Sequence, residues 1–152
     1  MDIRVEIKIL SPLLGRELPL PEAATAGSAA IDIRACIGKP VDILPGEHVL
    51  VPSGFAIGIP GGDYAGFVFA RSGLAVRNGI CLSNGVGLID SDYRGEIKVG
   101  LMNTSHTAFR ICPGDRVAQL AFMPVCTAQL VQVGELSETE RGEGGFGSTG
   151  RK

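Results

Sequence analysis

The sequence predicts an all-β protein, a barrel or a sandwich built from many short strands. The 152 residues include 22 glycines and 9 prolines, which leaves little room for long helices. Three Pro-Gly pairs, beginning at Pro45, Pro60 and Pro113, stand just before apolar runs, as type II turns stand before strands. Short apolar runs separated by such turns are typical of sandwiches and barrels.

Taken in order, the elements begin with a strand. Residues 3–9, IRVEIKI, alternate apolar and charged side chains, which is the period of a half-buried strand. The best candidate for a helix is short, SGLAVRNG at residues 72–79. From Ser137 onward the chain becomes polar and rich in glycine. We therefore expect one β-barrel domain over residues 1–136 and a flexible C-terminal arm over residues 137–152.

Composition and charge exclude several classes of partner. Apolar residues make up 45% and charged residues 20%, with a net charge of −2, as in an ordinary globular protein. Because no Lys/Arg-rich run occurs, we expect no polymeric nucleic acid as a partner. The first ten residues alternate, and no apolar run approaches the roughly 20 residues of a membrane span. We expect neither a signal peptide nor a membrane.

The chain has few residues for metal or histidine chemistry. The four cysteines, Cys36, Cys81, Cys112 and Cys126, are widely spaced and form no C-x-x-C pair. We interpret them as reduced, buried thiols in a cytoplasmic protein. The chain has only two histidines, which argues against a histidine-based zinc site or a Ser-His-Asp triad. We therefore expect carboxylates to act as the acid–base groups.

Two glycine-bearing segments are candidates for phosphate binding. The tail GEGGFGST nearly fits a P-loop, but Ser148 follows Gly147 directly where a lysine is required, so a P-loop NTPase is rejected. Its amides and hydroxyls could still cradle phosphate oxygens. In ARSGLA, Arg71 could bind an anion at a strand-to-helix turn. An ordinary turn with a surface arginine explains the segment equally well. Ser72 is disfavoured as a hydrolase nucleophile, because G-x-S-x-G needs glycine where Ala70 stands.

Polar residues inside apolar runs are further candidates. Asp32 lies within GSAAIDIRA, and buried aspartates are rare unless they are paired or near a metal. A salt bridge to an arginine and a metal role both stay open, and Gln119 in GDRVAQL carries a similar ambiguity. In LSNGVGLIDSDYRGEI, residues 82–97, we expect a glycine-bearing hairpin. Asn84 could hydrogen-bond the edge of a nucleobase, and Asp90 could act as a general base. Tyr93 could pack its ring against a sugar.

Five segments, in order, are similar to the five signature motifs of the trimeric deoxyuridine triphosphatases (dUTPases). They are GSAAIDIRA, ARSGLA, NGVGLIDSDYRGEI, GDRVAQL and RGEGGFGSTG. The third and fifth are the most specific. The resemblance implies a jelly-roll-like β-barrel with at most one short helix, assembled as a homotrimer with shared active sites. It also implies hydrolysis of dUTP to dUMP and pyrophosphate with Mg²⁺ on the triphosphate, which limits uracil incorporation into DNA and supplies dUMP.

The resemblance also assigns roles to residues. Asn84, and more weakly the backbone at Lys98, would read uracil in a hairpin too tight for the thymine methyl, and Leu88 and Ile89 would shape the pocket. Tyr93 would stack on deoxyribose and exclude a ribose 2′-hydroxyl, while Asp90 would contact the sugar hydroxyl and act as general base. The phosphate and metal ligands would be Arg71, Ser72, Gly73 and Gln119, with Asp32 binding Mg²⁺ through water. In the arm, Phe146 would cover uracil, and the outer phosphates would meet Arg141, Gly147, Ser148 and Thr149.

Two departures from the motifs and two rival functions stay open. Ala70 stands where the second motif often has proline, and Gly85 stands where a bulkier residue is frequent. A dCTP deaminase on the same fold would need a different base pocket and a catalytic glutamate, which we do not find in the expected neighbourhood. A nucleotide-binding regulator or a capsid-like sandwich would have no catalytic activity. Such a protein would not need both Asp90 and the fifth motif.

Overall fold

A computed structural model of the protein describes residues 3–145. Within that range the chain forms eleven strands and a single α-helix, which confirms the all-β prediction. The elements are β1 (Glu6–Ile9), β2 (Ile31–Arg34), β3 (Val41–Ile43), β4 (His48–Pro52), β5 (Phe55–Gly58), β6 (Tyr64–Ala70), α1 (Ser72–Asn78), β7 (Ile80–Leu82), β8 (Gly87–Ile89), β9 (Lys98–Asn103), β10 (Phe109–Ile111) and β11 (Arg116–Pro124).

The strands form four antiparallel sheets. The largest has the order β2-β11-β6-β8, and a three-stranded sheet has the order β4-β9-β7. Two pairs, β1-β5 and β10-β3, complete the set. Most neighbours in the sheets are distant in sequence, as in Greek-key and jelly-roll folds. No sheet closes on itself among the described residues.

One hydrophobic core lies between the sheets. In β7 and β9 its buried side chains alternate with more exposed ones, as the two-residue period of a strand requires, whereas β5 buries three residues in a row. In β9, for example, Val99 and Leu101 are buried while Lys98 is exposed. The largest of the core side chains is Phe55 on β5, which is 1% exposed. Burial of this alternating set stabilises the fold and fixes the register of each strand.

Asn103 is the most buried polar side chain of the core. It is 0% exposed at the end of β9. Its Nδ2 donates to the carbonyl oxygens of Ile43 and Thr107, each at 2.8 Å. Its Oδ1 accepts from the backbone N–H of Ser105 at 2.9 Å and from the Ser105 hydroxyl at 2.7 Å. With every bond satisfied, Asn103 ties the loop after β9 to β3.

The turns behave as predicted. Gly46, Gly61 and Gly114, each the second residue of a Pro-Gly pair, have φ values of 79°, 66° and 83°. A positive φ at this position is the requirement of a type II turn, and it favours glycine. The helix predicted at 72–79 is α1. No helix among residues 3–145 is long and apolar enough to cross a membrane.

Three local predictions were wrong. The first strand spans only Glu6–Ile9 and is exposed rather than half-buried, because its sheet contains only β5 besides itself. Residues 82–97 do not form a hairpin, because β7 pairs with β9 whereas β8 pairs with β6. All four cysteines are free as expected, but Cys36 alone is buried; Cys81 is half-buried and Cys112 and Cys126 are exposed, so the prediction that all four are buried is wrong for three of them.

Candidate active site

The chain between β7 and β8 carries the backbone from one sheet to another. The N–H of Ser83 donates to the Gly100 carbonyl at 2.9 Å, which keeps the start of this crossing on β9. Gly85 has a φ of 75° and turns the chain away, a conformation that side chains disfavour. A Cβ on Gly87 would lie 3.0 Å from the Cβ of Val68 on β6. The glycines therefore let β8 lie close to β6 and leave a space beside β9.

That space is a cavity of about 450 Å³. It falls within the range of small-molecule sites, which is roughly 300–1,000 Å³. The crossing, β8 and β9 supply most of its walls, and Leu50 and Val68 come from neighbouring strands. The predicted residues that line this cavity are Asn84, Leu88, Ile89, Asp90, Tyr93 and Lys98. We call it the motif-three cavity, after the segment 84–97 that forms most of it.

The polar side chains of the motif-three cavity are available to a ligand. The Asn84 amide and the Asp90 carboxylate make no hydrogen bond to any residue between 3 and 145. Asn84 offers two donors and an acceptor, and Asp90 offers only acceptors when ionised. The apolar walls and these few polar groups suit a flat, polar-edged ring such as a nucleobase.

Tyr93 lies at the rim of the cavity with an exposed fraction of 45%. Its backbone N–H donates to the Asp90 carbonyl at 3.1 Å, which closes a turn over residues 90–93. Its hydroxyl donates to the Glu96 carbonyl at 3.1 Å. The turn places the Tyr93 ring and the Asp90 carboxylate at the same cavity.

A second cluster of predicted residues forms where β2, β11 and β6 meet. Asp32 on β2 lies opposite Gln119 on β11, which in turn lies opposite Phe69 on β6. The Asp32 side chain is 11% exposed. Its Oδ1 lies 3.1 Å from Nε of Arg71, and its Oδ2 accepts from Nη1 of Arg116 at 3.2 Å. The salt-bridge interpretation of Asp32 is therefore confirmed, with two arginines rather than one.

Arg71 occupies an unusual position for an arginine, the N-cap of α1. N-caps favour Ser, Thr, Asp and Asn, whose side chains bond the first helical N–H groups. The Arg71 side chain makes no such bond and points at Asp32 and at the Arg116 carbonyl, 3.4 Å from its Nη1. The Arg71–Asp32 contact is an ion pair at close range without hydrogen-bond alignment, since Nε and Oδ1 are both buried and unbonded. A broken local rule of this kind is typical of a functional site.

The donor set around Asp32 fits a cation held mainly by a ligand. No group of three or more His, Cys, Asp or Glu side chains that could hold a metal occurs within residues 3–145. Mg²⁺ usually keeps several waters and is bound by one or two carboxylates together with substrate phosphates. One carboxylate whose Oδ1 lacks a hydrogen bond matches that arrangement better than a protein cage would.

Glu96 is the one glutamate lining the motif-three cavity. Sequence reasoning expected no glutamate there. Its Oε1 accepts from the Gly54 N–H at 2.9 Å, and its Oε2 lies 3.8 Å from Nζ of Lys98. The carboxylate is thus engaged in holding the turn before β5. Because these contacts occupy the Glu96 carboxylate, they argue against Glu96 as the catalytic glutamate of a deaminase.

The motif-three cavity and the cluster around Asp32 have no residue in common. Asp32, Arg71 and Gln119 are absent from the residues lining the motif-three cavity. Ser72 and Gly73 follow Arg71 in the first turn of α1 and therefore belong to the Asp32 side. Arg141 lies in the exposed C-terminal segment, where its Nε donates to the Gly144 carbonyl at 2.8 Å. Phe146, Gly147, Ser148 and Thr149 lie outside the described residues.

Besides Glu96, sequence reasoning missed two contributors to these clusters. Arg116 stands three residues before Gln119 in GDRVAQL, and the expectation that an arginine pairs Asp32 was the signal that could have identified it. Gly95 lies under the Tyr93 ring, where an added Cβ would be 2.6 Å from Cζ. That contact depends on the folded backbone and has no signal in the sequence.

Comparison with known proteins assigns the family. Residues 16–150 match the model of the dUTPase family. The chain is 51% identical over 150 residues to the deoxyuridine 5′-triphosphate nucleotidohydrolase of Acinetobacter baumannii, covering 99% of this chain and 100% of the relative.

Solved structures agree in fold. The dUTPase of Staphylococcus bacteriophage 80alpha with dUPNHPP superposes with a TM-score of 0.83 at 28% identity, over 97% of this chain and 98% of that one. A mutant dUTPase of phage phi11 of S. aureus, described as coordinating a structural Mg(II) ion, superposes with a TM-score of 0.76 at 23% identity, over 89% of this chain and 99% of that one. At that identity the second likeness speaks for the fold alone. The jelly-roll-like fold is confirmed, and the chain belongs to the dUTPase family.

Proposed function

We propose that this protein hydrolyses dUTP to dUMP and pyrophosphate by attack of water on the α-phosphate. The observation that carries the proposal is the motif-three cavity, in which an unbonded Asn84 amide and an unbonded Asp90 carboxylate lie beside the Tyr93 ring. Membership of the dUTPase family supplies the substrate class.

Uracil is read inside the cavity. The Asn84 side chain pairs with the polar edge of the base, and the backbone at Lys98 adds a weaker contact. Leu88 and Ile89 on β8 shape the apolar wall. The close approach of β8 to β6, with 3.0 Å between Val68 and an added Cβ at Gly87, restricts the width of this wall. A base with an extra methyl group then meets a steric penalty.

Sugar recognition and catalysis share the turn over residues 90–93. Tyr93 stacks on deoxyribose and leaves no room for a 2′-hydroxyl. Asp90 accepts a hydrogen bond from the sugar hydroxyl and orients the attacking water as general base. In this reaction the water oxygen bonds to the α-phosphorus, the bond to the bridging oxygen breaks, and pyrophosphate leaves. Asp90 takes up the proton from the water.

The triphosphate is bound by the second cluster. Arg71, Ser72, Gly73 and Gln119 hold phosphate oxygens, and Arg116 holds Asp32 in place. Asp32 would hold Mg²⁺ through water, and the ion would neutralise phosphate charge. Phosphoryl transfer depends mostly on positioning and charge neutralisation. The guanidinium groups of Arg71 and Arg116 are already in place beside Asp32 and can contribute to both.

The active site is completed by assembly into a homotrimer. Arg71, Asp32 and Gln119 do not line the motif-three cavity of their own chain, yet one nucleotide must contact both clusters. A base pocket of one subunit combined with the phosphate cluster of another meets that requirement. Sedimentation would test the trimer. Mixed trimers of the inactive variants Asp90→Asn and Arg71→Ala would test sharing, since only shared sites restore part of the activity.

Residues 1–136 form the catalytic barrel domain, and residues 137–152 act as an arm over this site. The last strand, β11, ends at Pro124, and residues 127–143 are exposed. Phe146 covers the uracil, and Arg141, Gly147, Ser148 and Thr149 meet the outer phosphates. Closure of such a segment excludes water from the reacting phosphate. With four free cysteines, we place the protein in the cytoplasm.

Hydrolysis of dUTP in ¹⁸O-labelled water tests both the reaction and its site of attack. We expect the label in dUMP and none in pyrophosphate. Label in pyrophosphate would move the attack to the β-phosphate, and an absence of hydrolysis with tight dUTP binding would favour a binding protein.

A further inference from the structure

Tyr93 is held at four points by its own chain. Its backbone N–H donates to the Asp90 carbonyl at 3.1 Å, and its own carbonyl accepts from Nη1 of Arg94 at 3.0 Å. Its hydroxyl donates to the Glu96 carbonyl at 3.1 Å. The fourth point is the packing of the ring over Gly95. An exposed tyrosine normally has two freely rotating bonds, so this degree of restraint is unusual for a side chain that is 45% exposed.

The contact with Gly95 depends on the absence of a side chain. The three atoms nearest to an added Cβ all belong to Tyr93: Oη, Cζ at 2.6 Å and Cε2 at 3.0 Å. Real Cβ atoms essentially never approach a ring this closely, so the ring would have to move. Gly95 does not have a positive φ, and its backbone would therefore accept alanine without strain. The nearest obstacle to a side chain at this position is therefore the Tyr93 side chain.

We infer that Gly95 is a positioning residue for substrate specificity, which fixes the Tyr93 ring as a rigid wall of the sugar site. This inference rests on the proposed contact between Tyr93 and deoxyribose. A wall that is already in place costs no ordering when substrate binds, and it cannot retreat from a 2′-hydroxyl. A ring displaced by alanine would stack less well on deoxyribose and would admit ribose more readily.

The test uses Gly95→Ala in the full chain, with Gly38→Ala as the matched control. Gly38 also lacks a positive φ, and an added Cβ there meets no atom within 4 Å. Labelling with 3-fluorotyrosine gives ¹⁹F signals from only two tyrosines, Tyr64 and Tyr93, and Tyr93→Phe assigns them. Without ligand, Gly95→Ala should shift the Tyr93 signal, whereas Gly38→Ala should leave it in place. An unmoved Tyr93 signal in Gly95→Ala would overturn the inference.

Kinetics then connect the ring to specificity. In Gly95→Ala we expect kcat/KM for dUTP to fall by roughly 10- to 100-fold and the preference for dUTP over UTP to fall with it, since misplacement of about 1 Å can cost 100-fold. In a Tyr93→Ala background, the same change at Gly95 should alter kcat/KM by less than about twofold, because no ring is left to displace. An equal loss in both backgrounds, or an unchanged preference, would overturn the inference.

A folding failure would also be decisive. If Gly95→Ala does not fold, the double variant Tyr93→Ala/Gly95→Ala should fold and melt close to Tyr93→Ala. A double variant that also fails would show that Gly95 is required for another reason. The ligand-free ¹⁹F measurement separates the two proposals: failure of wild-type protein to hydrolyse dUTP contradicts the proposed function, whereas an unmoved Tyr93 signal contradicts the role of Gly95.

Discussion

Nε of Arg71 lies 3.1 Å from Oδ1 of Asp32, at the point where a strand of the largest sheet leads into the only described helix. The opposite side of the same carboxylate is held by Arg116 at 3.2 Å. A carboxylate between two guanidinium groups fixes the direction of both, and the group retains a net positive charge. Such a preformed cluster attracts an anion without having to reorganise.

Asp32→Asn should damage both stability and activity. Loss of the charge on the largely buried Asp32 side chain leaves Arg71 and Arg116 without their anionic partner, at a cost of roughly 1–3 kcal/mol in the free energy of unfolding. Urea unfolding measures this cost, and dUTP turnover measures the loss of phosphate binding. The control is Asp42→Asn, which breaks the exposed bidentate pair of Asp42 with Arg110. Equal and small effects of the two substitutions would contradict the role given to Asp32.

Asp90→Asn should bind nucleotide and lose turnover. The amide keeps the shape of the carboxylate but cannot accept the proton from water, and removal of a general base typically costs at least about 100-fold in rate. Calorimetry with dUTP should give an affinity within a few-fold of the wild type, while pyrophosphate release should nearly stop. Near-full activity would make the assignment of Asp90 wrong.

Deletion of the chain from Arg141 onward should harm catalysis more than folding. The segment of residues 127–143 is exposed and belongs to no sheet, so loss of its last part removes little buried surface. We expect a melting temperature near that of the full chain together with a large fall in kcat/KM for dUTP. A large fall in melting temperature would instead assign the arm a structural role.

Asn103→Ala should destabilise the fold. The buried Ile43 carbonyl would lose its side-chain partner, and the Thr107 carbonyl and the Ser105 N–H would each lose one bond, which costs about 2–4 kcal/mol in the free energy of unfolding. Asn78→Ala is the matched control, because the Asn78 side chain makes no hydrogen bond within residues 3–145. Comparable melting temperatures for the two variants would contradict the tie between β9 and β3.

The Asp42–Arg110 pair should make stability depend on pH in the acid range. The side-chain hydrogen bonds from Arg110 hold the pKa of Asp42 below its ordinary value of 3.8. The pair therefore stabilises the fold at pH values above 3.8, and this contribution is lost as the pH falls through the lowered pKa. The difference in melting temperature between wild type and Asp42→Asn should shrink in acid. A constant difference across the range would contradict the ion pair.

Local patterns predicted much of the fold, because they describe local chemistry. The Pro-Gly pairs predicted turns since a type II turn needs a positive φ, and Gly46, Gly61 and Gly114 have one. The burial of β1 could not be predicted in this way. The alternation of side chains shows that one face of the strand is apolar and the other charged. It does not show whether another sheet covers the apolar face, where Ile7 is in fact 49% exposed.

Long-range pairing is the part that local patterns cannot reach. Residues 82–97 looked like a hairpin because apolar ends flank a glycine-bearing loop, yet β7 and β8 join different sheets. The partners of Asp32 come from positions 71 and 116, and only the register of β2, β11 and β6 brings them together. The motif resemblance supplied the candidate residues, and the geometry adds Arg116, Glu96 and Gly95 to them.

The most direct test of the whole account is pyrophosphate release with Mg²⁺ from dUTP, dCTP, dTTP and UTP, measured side by side. We predict release from dUTP with the other three nucleotides far slower, because the cavity reads both uracil and deoxyribose. No pyrophosphate from any nucleotide, with ammonia appearing from dCTP, would contradict the account and place the protein among the deaminases.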